Sequence, residues 1–149
     1  MNILSLFAGI SCGQLALQRA GIKYDNYFAS EIDKNAIKVT QHNFPDTIQI
    51  GDVTTIDFSK LPKIDLLIGG SPCQGFSFAG KQLNFEDHRS KLFFKFVEAK
   101  EKLNPNYYLF ENVKMKKDYL NKISSFIKCD PIFINSADFS AQNRQRCLS

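Results

Sequence analysis

Four side chains in this sequence sit where chemistry can be done, each just after or at the end of a run that reads as a strand. Cys73 lies in Gly69-Gly70-Ser71-Pro72-Cys73-Gln74-Gly75-Phe76-Ser77, directly after the apolar run 64–68. The proline restricts Ser71 and so sets the backbone entering Cys73. A thiol there is a nucleophile once deprotonated. With an ordinary pKa of ~8.5, only a few per cent is thiolate at neutral pH, and a nearby positive charge or helix N-terminus raises that fraction. The competing reading is a buried cysteine packed into a tight turn. Glu111, in Phe110-Glu111-Asn112-Val113, puts a carboxylate at the same edge of a sheet. Arg144 and Arg146, in Gln142-Asn143-Arg144-Gln145-Arg146, follow the next strand. The chain has four arginines against fifteen lysines, so two in alternate positions stand out. They either coat a surface or supply forked donors to a base carbonyl or a phosphate.

The elements that must hold these groups alternate between short apolar runs and amphipathic stretches. Strands are expected at 2–7, 24–30, 47–50, 64–68, 107–110 and 131–135. Helices are expected at 14–20, stopped by Gly21; from a cap at Asp33 to about Asn43, with Pro45 just beyond; at 90–103; and at 117–127. Residues 146–149 read as the beginning of another strand. Residues 70–89 are expected to form a long polar loop, which in a compact domain is usually functional or disordered. This alternation predicts an α/β fold with a mostly parallel, doubly wound sheet. No repeat or internal domain boundary is evident.

Ligands of such sheets bind at the carboxyl ends of the strands. Three features converge there. Leu6-Phe7-Ala8-Gly9-Ile10-Ser11-Cys12-Gly13 is a small-residue turn between strand and helix, where glycine lets the backbone approach a ligand. Glu31 follows the second strand, 22 residues after Gly9. A carboxylate there commonly accepts hydrogen bonds from ribose hydroxyls. Asp52 follows the third strand. Either acid is equally readable as a helix cap or a solvated loop end, but together the three favour an adenosine-containing cofactor. Ser11 stands where a G-x-G-x-x-G turn has its second glycine, which argues against a nicotinamide dehydrogenase on the same plan.

In this order, these blocks resemble the DNA (cytosine-5)-methyltransferase family. The match runs through Leu6-Phe7-Ala8-Gly9, Ser30-Glu31-Ile32-Asp33, Gly51-Asp52-Val53, Gly70-Ser71-Pro72-Cys73-Gln74, Arg89 with Leu92-Phe93-Phe94, Glu111-Asn112-Val113 and Gln142-x-Arg144-x-Arg146. The resemblance implies a Rossmann-like fold and S-adenosyl-L-methionine as methyl donor. It implies that Phe7 stacks on the adenine, Glu31 holds the ribose, Asp52 meets the adenine amino group and Leu92 lines the methionine side. Ala8, Gly9, Ile10, Ser11, Cys12, Gly13, Ile32, Val53, Ser71 and Pro72 complete the expected cofactor contacts. Cys73 becomes the nucleophile, Glu111 the partner of ring nitrogen 3 of a flipped cytosine, and Arg144 with Arg146 the clamp on its carbonyl. Residues 74–89 become a lid, with Gly75 and Gly80 as pliant points and Lys81 on a phosphate.

The family's usual glycine pair is replaced here by Ser11-Cys12-Gly13. The family also continues into a target-recognition region and two further blocks. The expectation is therefore a catalytic domain over 1–149, incomplete at its C-terminus. It is either active on double-stranded DNA, or one piece of a split or truncated enzyme that needs a second chain. Relatives acting on transfer RNA keep an RNA substrate open.

Bulk properties exclude little more. Net charge is +4, mildly basic and compatible with a polyanion. No stretch approaches the ~18 apolar residues of a membrane span, and residues 1–10 carry no basic segment before an apolar one, so the cytoplasm is expected; the family resemblance implies that of a bacterial or phage-infected cell. The four cysteines show no C-x-x-C spacing, and His42 and His88 stand apart, so neither zinc nor a disulfide framework is expected.

Overall fold

The computed structural model describes residues 1–72, 88–115 and 117–149, with side chains in the third helix described from residue 91. Cys73, Gln74, the Arg89 side chain and the expected lid, with Gly75, Gly80 and Lys81, lie outside the described residues.

Seven strands and four helices are described: β1 Asn2–Leu6, α1 Cys12–Arg19, β2 Asn26–Ser30, α2 Lys34–Asn43, β3 Ile48–Gln49, β4 Leu66–Gly69, α3 His88–Leu103, β5 Tyr107–Val113, α4 Lys117–Ile127, β6 Ile132–Asn135 and β7 Gln145–Leu148. They build one sheet in the order β3-β2-β1-β4-β5-β7-β6. The first five strands are parallel. β7 runs antiparallel to both β5 and β6.

Local chemistry explains the boundaries. β1 is central and covered on both faces, so Ile3, Leu4, Ser5 and Leu6 are all buried. α1 ends in a Schellman arrangement: Ile22 N–H donates to the Leu17 carbonyl and Gly21 N–H to that of Gln18, with Gly21 at φ +69°. α2 starts at Asp33, whose carboxylate accepts from the N–H groups of Asn35 and Ala36. α3 buries Phe93, Phe96, Val97 and Ala99 against the sheet, and Phe96 and Phe93 pack on Phe110 with ring centroids 4.8 and 5.4 Å apart. The Tyr108 hydroxyl donates to the Ile127 carbonyl at the end of α4.

The two faces of the sheet are unequally covered. One packs on α3, α4 and the single turn of 3-10 helix Phe58–Lys60. The other packs on α1 through Ile3, Leu17, Tyr27 and Ala29. Beyond α1 on that second face, register aligns Tyr107, Leu109, Ile132 and Ile134, all exposed, with Tyr107 at 69 % and Ile132 at 67 %.

Candidate active site at the carboxyl ends of the strands

The tips of β1, β2 and β3 are tied to one another by hydrogen bonds through their turns. The Gly9 N–H donates to Glu31 Oε2 at 2.7 Å, and Ala8 N–H donates to the Ser30 carbonyl. Glu31 Oε1 accepts from the N–H groups of Ile32 and Asp33. A carboxylate offers about four acceptor positions, so three are filled and one is left on Oε2, enough for one ribose hydroxyl. The Ser30 hydroxyl donates to the Gly51 carbonyl at 2.7 Å, which holds the Asp52 turn against β2. Asp52 Oδ1 accepts from Thr54 N–H.

The turn from β1 to α1 is conformationally unusual. Phe7, Gly9 and Ser11 all have positive φ, at 58°, 55° and 62°. Only glycine adopts that region freely, so Phe7 and Ser11 hold it against a local penalty of order 1–3 kcal/mol each. Among the described residues, nothing lies within 4 Å of where a Cβ on Gly9 would stand. That leaves open space above the backbone amide beside Glu31. Ile10 and Ile32 expose their side chains next to it, at 52 % and 70 %. An open backbone cradle, a carboxylate with one acceptor position left and two bare isoleucines fit a nucleoside: sugar on the acid, flat ring on the apolar side chains.

The other expected cofactor residues are distributed less uniformly. Phe7 and Leu92 are half-buried and pack on the main core. Val53 lies within that core, so it can offer a cofactor only its backbone. Ser11 is fully buried, whereas Cys12 is exposed. Gly13 is required for packing, because a Cβ there would stand 2.7 Å from Ile68 Cδ1 and 2.9 Å from the Tyr27 hydroxyl. Burial pushes the Tyr27 phenol up to about 12, with the nearby Ser5 side chain opposing the shift. Ser71 is buried and Pro72 exposed where the described chain reaches Cys73.

On the far side of β4 the structure brings two of the expected catalytic residues together. β5 and β7 pair with Val113 opposite Arg146 and Glu111 opposite Leu148, so Glu111 and Arg146 share a face on the diagonal. Arg146 Nε lies 2.5 Å from Glu111 Oε1. Gly70 completes the corner: a Cβ on it would stand 2.6 Å from Glu111 Oε2. The carboxyl group is thus wedged between the start of the Cys73 segment and a guanidinium. Arg144 is exposed in the turn entering β7, where its N–H donates to Asn135 Oδ1 and its carbonyl accepts from Ser136 N–H.

Sequence reasoning missed Ser30 and Gly70 as positioning residues. Gly70 was legible in principle, since paired glycines after a strand signal close approach.

A doubly wound sheet with an antiparallel β7 between β5 and β6 and an acid after β2 defines a Rossmann-like methyltransferase fold. The chain belongs to the C-5 cytosine-specific DNA methylase family, whose model matches residues 1–148. It is 41 % identical over 159 aligned residues to the orphan methyltransferase M.SPRI of Bacillus phage SPR, covering 98 % of this chain and 36 % of that protein. It is 44 % identical over 115 residues to the type II methyltransferase M.Eco47II of Escherichia coli, covering 76 % of this chain and 27 % of that one. The chain therefore spans about a third of the length of the curated relatives it matches. Among solved structures, the S. pombe Dnmt2 methyltransferase superposes with a TM-score of 0.78 at 21 % identity, covering 99 % of this chain and 49 % of that one. A mutant of Spodoptera frugiperda DNMT2 gives a TM-score of 0.67 at 25 % identity, with the same coverage of each chain.

Proposed function

We propose that residues 1–149 are the catalytic portion of an enzyme that moves a methyl group from S-adenosylmethionine to carbon 5 of cytosine in double-stranded DNA. The single observation that carries this is the corner formed by Gly70, Glu111 and Arg146, beside the segment that leads into Cys73.

Glu31, the open Gly9 cradle, Ile10, Ile32 and Asp52 would hold the cofactor, which would supply an electrophilic methyl group. The target base sits inside a duplex, so it must be flipped out at a cost of a few kcal/mol. The Cys73 thiolate adds to carbon 6 of the ring, forming a carbon–sulfur bond and pushing the carbon 5–carbon 6 electron pair onto carbon 5. Glu111 gives a proton to ring nitrogen 3, offsetting the negative charge that the addition creates. Arg146, with Arg144, donates to the ring carbonyl where charge also gathers. Carbon 5 then takes the methyl group as the methyl–sulfonium bond breaks with its electron pair staying on sulfur; the carbon-5 proton leaves to water and ring nitrogen 3 returns its proton to Glu111. The double bond re-forms as the Cys73 sulfur departs with its electron pair.

The other partner in this reading is a second chain that supplies the target-recognition region. The uncovered strip Tyr107, Leu109, Ile132 and Ile134 supports it, since apolar side chains in a row usually meet another surface. The relatives' bacterial and phage sources support the cytoplasm of a bacterial or phage-infected cell as its location. Among the described residues, no helix is long and apolar enough to cross a membrane.

A duplex carrying 5-fluorocytosine tests the chemistry. Fluorine cannot leave as the proton does, so the chain plus S-adenosylmethionine, with a complementing C-terminal fragment where needed, becomes covalently bound. Mass spectrometry reads the adduct on Cys73, and Cys73→Ala forms none. An adduct formed equally well by Cys73→Ala would overturn the mechanism. Trapping on a fluorinated transfer RNA but not on the duplex would move the substrate from DNA to RNA.

A further inference from the structure

Thr40 lies on α2, 31 residues from Gly9, and neither the sequence motifs nor the mechanism uses it. Its side chain is buried, and its hydroxyl stands 3.1 Å from Ser11 Oγ and 3.3 Å from the Gly9 carbonyl oxygen. Ser11 occupies the N-cap position of α1, yet its side chain caps nothing. At φ +62° and fully buried, its hydroxyl is turned inward, where Thr40 meets it. One hydroxyl proton serves only one acceptor. The arrangement that uses both protons has Ser11 donating to Thr40 and Thr40 donating to the Gly9 carbonyl.

We infer that Thr40 is a positioning residue that latches the Gly9–Ser11 turn in its cofactor-ready shape, and that Ser11 and Thr40 act as one coupled pair. Three groups then hold this turn from β2 and α2: Ser30 O on the Ala8 N–H, Glu31 on the Gly9 N–H, and Thr40 on the Gly9 carbonyl. A serine in left-handed backbone is strained where glycine is not, and the hydrogen bond to a buried threonine offsets that strain. The latch is thus needed because position 11 is serine. Its effect on cofactor binding rests on the reading of this turn as the cradle for S-adenosylmethionine.

The test uses the 149-residue chain in two measurements. Calorimetry with S-adenosylhomocysteine reads the cradle. Amide hydrogen exchange without any ligand reads the turn. Thr40→Val keeps the shape and removes the hydroxyl. It is expected to weaken binding roughly 5-fold or more, about what loss of a buried hydrogen bond carries. It should also speed exchange at Gly9 and Ser11 while the β1 amides keep their protection. Thr40→Ser keeps the hydroxyl and restores both readings. Ser11→Gly, which adopts the same φ freely, makes the later loss of Thr40 smaller, so the pair is non-additive. Should Thr40→Val prove insoluble, Thr40→Ala takes its place in every comparison, again with Thr40→Ser as the rescue.

Unchanged exchange at Gly9 and Ser11 in Thr40→Val overturns the latch, as does strict additivity of the two substitutions. If the unsubstituted chain does not bind S-adenosylhomocysteine, the cofactor reading fails, and the exchange rates still decide the latch.

Discussion

The two halves of the site are held in different ways. On the β1–β2–β3 side, a turn with three positive φ values is fixed by hydrogen bonds from backbone and buried side chains, and its residues come from adjacent β–α units. On the β5–β7 side, one carboxyl group is held by a guanidinium from an antiparallel strand 35 positions away and by the absence of a side chain at Gly70. The first half is a rigid mould. The second is one ion pair between a partly exposed carboxyl group and a largely buried guanidinium. That division suits a reaction with a cofactor of constant shape and a base that must enter and leave.

Substitutions can break this contrast. The largest effect is expected at Glu111: Glu111→Gln keeps the shape but removes the acid, and single-turnover methyl transfer should fall roughly 10²-fold or more with cofactor affinity unchanged. An unchanged rate removes Glu111 from the chemistry. Gly70→Ala comes next. Its methyl group would meet Glu111 Oε2 at 2.6 Å, so the carboxyl must swing away. Displacement of a reacting group by about 1 Å costs on the order of 10²-fold, and part of that should appear in kcat rather than KM. Equal rates for Gly70→Ala and the parent would show that the corner tolerates a side chain.

The smallest effect belongs to the mould. The Tyr27 phenol is raised to about 12 in the folded chain, so the folded state holds its proton more tightly than the unfolded one, whose phenol titrates near 10. The stability this contributes is complete below pH 10 and is lost as pH rises from about 10 to about 12. Absorbance at alkaline pH should show Tyr27 titrating latest of the five tyrosines, with burial raising Tyr108 as well, and Tyr27→Phe should remove the latest step. Survival of that latest step in Tyr27→Phe assigns it to another tyrosine.

Much of the cofactor half was legible in the sequence, because its signals are local. Asp33 caps α2 and Gly21 stops α1, each by a mechanism confined to a few neighbouring residues. α4 begins and ends where its pattern says, at Lys117 and Ile127. The misses follow from longer-range forces. α1 starts at Cys12 rather than Gln14, because the left-handed Ser11 lets the first turn form early. β5 runs on to Val113 because β7 pairs with Glu111, Asn112 and Val113, and no local propensity foresees that partner. The 3-10 turn at Phe58 went unread, although Asp57 accepting from Ser59 N–H is a recognisable cap. Glu111 and Arg146 were each named, but their contact depends on strand register, which sequence periodicity does not fix.

The place of β7 sets the order in which the site can be assembled during synthesis. β6 bonds to β7 and not to β5, so a nascent chain that has emerged only through residue 135 holds a five-stranded parallel sheet with a bare β5 edge. Residues 145–149 then slide between the two, and Ser149 exchanges both backbone hydrogen bonds with Phe110. The Gly9–Glu31 turn can therefore form well before Glu111 gains its arginine, and an arrested translation product would keep the first and lack the second.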